Sequence, residues 1–283
     1  MTVSPTSQYM TCAGREIHFM DWAGEAGKPV VIAWHGLART ARDMDELAAH
    51  LSSPSIGYRV LCPDTIGRGL SQWSPDPRNE YCFAFYTRLA SAFVDQLGLE
   101  RFHWVGTSMG GAIGMVAAAG PLRARITRLV LNDMGPQITA SSLQRIRGYA
   151  GNPSAFATVS ELEQYFRTVY KPYGFLTDAQ WRRLTETSTR RLPDGRVTPH
   201  YDPAMVQQFI HHPNDHERWA EYDSLEIPVL CLRGIDSDLL AADIAAQMAL
   251  RGPRARVVTI AGCGHAPALN VPEHLALVAS FLA

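Results

Sequence analysis

The chain has 283 residues, 46% of them hydrophobic, with 27 acidic residues against 26 basic ones. That length can bury one substantial core, or a core plus an insertion. Charges that nearly cancel, with no long run of one sign, argue against DNA, RNA or an anionic membrane as partner and leave small molecules.

The start, MTVSPTSQYM, lacks a basic segment followed by an apolar stretch, and no uninterrupted apolar run reaches about 18 residues, so a soluble cytoplasmic protein is expected. The cysteines, Cys12, Cys62, Cys82, Cys231 and Cys263, are odd in number and mostly sit in apolar strand-like runs. They read as free, buried thiols rather than as a disulfide or zinc framework.

In chain order, residues 16–21 alternate like a strand, and Pro29 to Trp34 form a buried apolar run ending at His35-Gly36-Leu37. Asp43 to Leu51 has helical spacing, and Tyr58 to Cys62 is a strand that stops at Pro63-Asp64. The turn formers from Asp64 through Gly67, Gly69 and Ser71 read as a structural loop. Tyr86 to Leu97 is an amphipathic helix leading to a strand at Phe102 to Val105.

That strand breaks at Gly106-Thr107-Ser108-Met109-Gly110-Gly111 and resumes as a small-residue helix over Ala112 to Ala119. Gly-x-Ser-x-Gly between a strand and a helix is the context in which a serine is lifted on a sharp turn. Bulky neighbours at Gly106 and Gly110 would collide with adjacent backbone. The helix start also offers free N–H groups and the positive end of a dipole to charge developing beside Ser108. Gly-x-Gly-x-x-Gly is absent here, and neither Gly67-x-Gly69 nor Gly262-x-Gly264 supplies a third glycine for dinucleotide binding.

A further strand, Ile126 to Leu131, ends at Asn132-Asp133-Met134-Gly135-Pro136. From 135 to 225 the pattern becomes helical, with capping-box signatures at Ser160-x-x-Glu163 and Thr177-x-x-Gln180 and a turn at Pro193-Asp194-Gly195. This predicts a mainly helical cap inserted between two core segments, 1–134 and 226–283. Its aromatic residues, Phe166, Tyr170, Tyr173, Phe175, Trp181, Tyr201 and Phe209 among them, mostly build the cap's own core, with a few facing a cleft. His211, His212, Asp215 and His216 cluster in sequence, but a Pro-Asn turn does not aim adjacent histidines at one ion, and no metal site is expected. Strand periodicity returns at Val229 to Leu232, followed by a helix at Asp243 to Leu250, a strand at Arg256 to Ile260 and a terminal apolar helix.

A serine hydroxyl needs a base, and histidine titrates closest to neutral pH. His265 follows the last strand in a glycine-bounded loop, which places it at the carboxyl edge of the sheet. An acid must orient it. Asp238, before the Leu239-Leu240 pair, is the first choice, with Asp236 beside it and Asp133 at the end of the strand after the serine helix as alternatives. The backbone N–H groups of Leu37 and Met109 are the expected oxyanion donors, and His35 is read as shaping its loop.

On these residues the chain resembles the α/β-hydrolase superfamily, and more narrowly its bacterial esterase-like members with a helical cap. The resemblance rests on His35-Gly36, Asp64 through Ser71, Gly106-x-Ser108-x-Gly110-Gly111, Leu131 through Pro136, Arg233-Gly234 through Leu240, and Gly264-His265-Ala266-Pro267. It implies an α/β fold, a mostly parallel central sheet flanked by helices with an inserted helical cap, and it implies Asp238 as the acid before two leucines. Ser108 sets the chain apart from relatives with an aspartate nucleophile. Leu37-Ala38-Arg39-Thr40 stands where carbon–carbon hydrolases and proline iminopeptidases carry Gly-Pro-Gly.

The activity so implied is hydrolysis of a small carboxylic ester through an acyl-enzyme, with no cofactor or metal, in a mostly apolar cleft. Carbon–carbon hydrolysis of a vinylogous diketone is the alternative and would need a grip on a substrate carboxylate, from Arg145, Arg147 or Arg190. A slow-turnover sensor that keeps the three side chains is the other.

Overall fold

The computed structural model describes residues 4–283. The expectation drawn from the first ten residues therefore falls in part outside the described chain. Eight strands form one sheet: β1 (Thr6–Cys12), β2 (Arg15–Trp22), β3 (Val30–Trp34), β4 (Arg59–Pro63), β5 (Phe102–Thr107), β6 (Ile126–Asn132), and, beyond a hairpin of β7 (Thr189–Arg191) and β8 (Val197–Pro199), β9 (Val229–Gly234) and β10 (Arg256–Ile260). Their order is β1-β2-β4-β3-β5-β6-β9-β10. β2 pairs antiparallel with β1 and β4, and every pair from β4 to β10 is parallel.

Parallel strands need helices on both faces, which is why β3, β5 and β9 are nearly continuous apolar runs. Helices Phe83–Gln96 and Met109–Ala119 cover one face and helices Asp45–Leu51 and Pro272–Leu282 the other. The chain runs from β3 to β4 on one side, then returns to place β5 on the other, so the carboxyl ends of β3 and β5 lie side by side with Trp34 opposite Gly106. Crevices form at such reversals. β6 flanks β5 with Asn132 opposite Thr107, and β9 and β10 complete the sheet.

Three local expectations are corrected. β1 occupies a segment in which the sequence reading placed no strand; its residues are mostly exposed, and pairing with β2 rather than burial makes it a strand. The serine helix begins at Met109, three residues early, because Gly111 and Ala112 N–H already reach the Ser108 carbonyl. The helix Val159–Val169 is capped by Thr158, whose hydroxyl accepts from Glu161 N–H, and not by Ser160. The box at Thr177 and Gln180 closes reciprocally as read, a contribution of about 1 kcal/mol.

Between β6 and β9 the chain forms five α-helices, three short 3₁₀ turns and the β7–β8 hairpin, whose turn holds Pro193-Asp194-Gly195. Leu162, Phe166, Trp181 and Val197 make a small core of their own. Tyr201, Met205 and Phe209 instead join the main core. The loop at Asp64 ties the other edge: Asp64 accepts from Ala41 N–H at 2.6 Å and Leu70 N–H at 3.0 Å and meets His18 Nδ1 at 2.7 Å. Among the described residues no helix is long and apolar enough to cross a membrane.

Candidate active site

Ser108 follows β5 with φ 52°, ψ −118°, a conformation costing a non-glycine residue about 1–3 kcal/mol, held by the N–H bond to Asn132 O and by the helix that follows. The turn is sterically closed to larger residues. A Cβ on Gly106 would lie 2.3 Å from Gly110 backbone, and one on Gly110 would lie 2.2 Å from Trp34 O.

Ser108 Oγ lies 2.8 Å from His265 Nε2, and His265 Nδ1 lies 2.6 Å from Asp133 Oδ2. The expectation that Asp238 stands against His265 is corrected here. Asp238 is exposed, at 2.7 Å from Arg145 of the insertion, and Asp236 is exposed as well. Asp133 is fully buried and held from β9: Gly234 N–H donates to its Oδ1 at 2.9 Å and Ser237 hydroxyl to its Oδ2 at 2.6 Å. The loop after β9 thus contributes donors that orient the carboxylate, and the carboxylate itself comes from β6, the strand adjoining the serine strand. The signal for Asp133 was its place at the end of that neighbouring strand. The Asp-Leu-Leu pattern after β9 outweighed it.

The segment between β6 and β9 braces the histidine loop. Gly264 N–H donates to Pro172 O at 2.7 Å and Ala268 N–H to Tyr173 O at 3.1 Å, from the short turn Lys171–Tyr173.

On the β3 side, His35 is buried, and its Nε2 accepts from Thr65 N–H at 2.9 Å. Its Nδ1 therefore carries the proton and donates to Gly36 O at 2.6 Å. Burial lowers the His35 pKa and keeps the ring neutral. A trans peptide points its N–H opposite its C=O, so fixing Gly36 O fixes the direction of Leu37 N–H. Arg68, fully buried, donates to Leu37 O at 2.8 Å and locks the next peptide, a role that the sequence did not announce. Among the described residues neither Leu37 N–H nor Met109 N–H has an acceptor in the protein.

Ser108 and His265 open on a cleft of about 320 Å³. Its walls are Gly36 to Arg39 from the β3 loop and Arg145, Tyr149, Tyr165, Val169, Tyr170 and Tyr173 from the insertion. A smaller chamber of about 60 Å³ adjoins it, sharing Gly36, Thr107, Tyr173 and Ala266. The cleft is aromatic rather than simply apolar. Among the described residues, the hydroxyls of Tyr149, Tyr165, Tyr170 and Tyr173 make no hydrogen bond to protein, and burial raises the pKa of Tyr149, Tyr165 and Tyr173, which keeps them as neutral donors.

Of the aromatic residues anticipated as cap core or cleft wall, Tyr170 and Tyr173 line the cleft, Phe166 and Trp181 pack in the insertion and Phe175 is exposed. Tyr149 and Tyr165 were not singled out, because a tyrosine on each of two different helices carries no periodicity that says which face meets a cleft. Of the three arginines, Arg145 lines the cleft. Arg147 donates to Phe209 O, and Arg190 stacks on Trp73. In the histidine cluster, His212 meets Arg78 O, His216 stacks on Phe209 and Asp215 pairs with Arg218.

Comparison with known proteins places these features in context. The alpha/beta hydrolase fold family matches residues 29–270. The chain is 34% identical to the 3-hydroxybutyrate-oligomer hydrolase of Cupriavidus necator over 99% of each chain. It is 24% identical, over 94% of this chain and 92% of the relative, to a 2-hydroxy-6-oxononadienedioate/2-hydroxy-6-oxononatrienedioate hydrolase of a Pseudomonas species. A crystal structure of an alpha/beta hydrolase from Novosphingobium aromaticivorans superposes with a TM-score of 0.86 at 34% identity, covering 100% of this chain and 99% of the other.

Proposed function

Because the chain belongs to the α/β-hydrolase family, we propose that it cleaves small carboxylic esters through an acyl-enzyme, with short oligoesters of the 3-hydroxybutyrate kind as substrates. The observation that carries this reading is the unbroken hydrogen-bonded chain from Ser108 through His265 to Asp133 at the floor of the cleft. The substrate class is supported by the relative similar along its whole length and by a wall of unpaired tyrosine hydroxyls, which suits an oxygen-rich chain better than a hydrocarbon one.

In this mechanism Ser108 Oγ attacks the ester carbonyl as His265 Nε2 takes its proton. Asp133 holds the imidazole tautomer and stabilises the imidazolium. The N–H groups of Leu37 and Met109 receive the oxyanion, in a site where the helix start adds its dipole. His265 returns the proton to the departing alkoxide, and water repeats the sequence to release the acid. Residues 135–225 act as the cap that selects substrate, bracing His265 as they do so. We place the activity in the cytoplasm, in keeping with five buried free cysteines.

Carbon–carbon hydrolysis is the second reading, favoured by Arg145 in the cleft and by relatives at 24–25% identity. A stopped-flow burst assay on p-nitrophenyl esters decides among the readings. A burst near one equivalent followed by turnover, absent in Ser108→Ala, is expected. Neither burst nor turnover on any ester would indicate the carbon–carbon hydrolase where a vinylogous diketone is cleaved, and the sensor where it is bound without being cleaved.

A further inference from the structure

The cleft wall carries two arginines, Arg39 and Arg145, and no carboxylate. Arg145 is half exposed and already ion-paired with Asp238. Arg39 is different. It is 3% exposed, and its Nε and Nη2 hold Asp43 at 2.6 and 2.7 Å while Nη2 also donates to Ser188 at 2.9 Å. Its Nη1 has no hydrogen-bond partner. Burial opposes the charge, but Asp43 outweighs it and raises the guanidinium pKa further. Two buried, charged N–H groups without an acceptor are costly unless a ligand supplies one.

The position suits a ligand of the proposed activity. A Cβ built on Gly36 would lie 3.6 Å from Ser108 Cβ and 3.8 Å from Arg39 Cγ, so the nucleophile and the arginine stem flank the same glycine. The guanidinium then passes beneath Tyr170, 4.5 Å from the ring centroid. In an oligomer of 3-hydroxy acids, the free terminal carboxylate lies four bonds from the last ester carbonyl, on the order of 5 Å.

We propose that Arg39 is a carboxylate anchor that seats the acid end of an oligoester beside Ser108, so that the chain is cut one unit at a time from that end. This rests on the ester-hydrolase reading and says which bond is cut. Ser108 Oγ forms a bond to the last ester carbonyl carbon. The bond from that carbon to the alkoxide oxygen breaks, and the proton taken by His265 passes to that oxygen. A free hydroxy acid leaves, its carboxylate still on Arg39, and water then releases the shortened chain from Ser108.

The test compares kcat/KM of the wild type on the 3-hydroxybutyrate dimer and on its terminal carboxamide, which has the same shape without the charge. The acid is expected to be favoured about 50-fold, the worth of one charge-assisted bond to a buried group. Arg39→Gln should bring the ratio near one, and Arg145→Gln should lower it less. In a trimer labelled in its acid-end unit, the label should leave as free monomer, and label released in the dimer overturns the anchor. Should Arg39→Gln fold poorly, competition on the wild type replaces it: 3-hydroxybutyrate should inhibit p-nitrophenyl butyrate hydrolysis far better than its amide. Equal kcat/KM for acid and amide, or a ratio that collapses only in Arg145→Gln, overturns the anchor while leaving the ester reading intact. A wild type that turns over p-nitrophenyl butyrate but neither dimer also overturns it. No turnover of any ester sinks both.

Discussion

Two Ser-His-Asp chains of hydrogen bonds stand among the described residues, and they are almost identical in bond length. Ser108 to His265 to Asp133 spans 2.8 and 2.6 Å, and Ser7 to His18 to Asp64 spans 2.7 and 2.7 Å. Both aspartates are buried and held by further donors, Gly234 and Ser237 for one and Ala41 and Leu70 for the other. The difference is at the serine. Ser108 sits at positive φ at the head of a helix, facing a cleft, with unpaired N–H groups on both sides of the crevice. Ser7 lies exposed in an edge strand paired to β2, and Tyr9 rests on the His18 ring at 5.0 Å. The relay alone therefore does not make a nucleophilic site. Acyl transfer also needs donors aimed at the developing oxyanion, and of the two serines Ser108 is the one beside backbone N–H groups, those of Leu37 and Met109, that lack a protein acceptor among the described residues.

The largest effect that would break this contrast is at the serines themselves. Ser108→Ala should lower kcat by about 10⁴- to 10⁶-fold with the fold unchanged, whereas Ser7→Ala should leave turnover within about twofold, as expected of a surface change. Mass mapping after a fluorophosphonate probe should find the label on Ser108, and label on Ser7 would erase the distinction. Next come the acids. Asp133→Asn should cost about 10³- to 10⁴-fold in kcat through the wrong imidazole tautomer, while Asp236→Asn and Asp238→Asn stay within about threefold because neither meets His265. A loss confined to Asp238→Asn would return the role to that residue.

The second relay should show its worth in stability. Asp64→Ala leaves Ala41 N–H, Leu70 N–H and His18 Nδ1 unpaired in the interior, at a cost of about 2–4 kcal/mol in urea unfolding. Ser7→Ala should cost less than about 1 kcal/mol.

The smallest effect separates histidines bonded to carboxylates from one that is only buried. His216 stacks on Phe209, neither ring nitrogen has a partner among the described residues, and burial lowers its pKa from 6.5 to about 4. The unfolded chain binds that proton more readily than the fold. Its contribution is therefore complete above about pH 6.5 and is lost as the pH falls toward 4. His216→Phe should flatten the decline of the urea midpoint over that window, and an unchanged decline would assign it elsewhere, His103 first, whose pKa burial also lowers to about 4.

Where the physics is local, the amino-acid order alone determined the outcome. Continuous apolar runs became the buried parallel strands, and Gly106 and Gly110 announced a turn that admits no Cβ. The box at Thr177 and Gln180 closed as written, because its atoms lie within one helical turn. The tertiary structure decided what depends on residues far apart in the chain. Asp133 and Asp238 both stand at the carboxyl end of a strand, and only the sheet order, with β6 between β5 and β9, and the donors Gly234 and Ser237 determine which carboxylate turns inward. Arg39 and the cleft tyrosines belong to the same class. No periodicity marks a guanidinium whose last nitrogen is left unpaired, since its surroundings include Ser188 and Tyr170, which lie more than a hundred residues along the chain from Arg39.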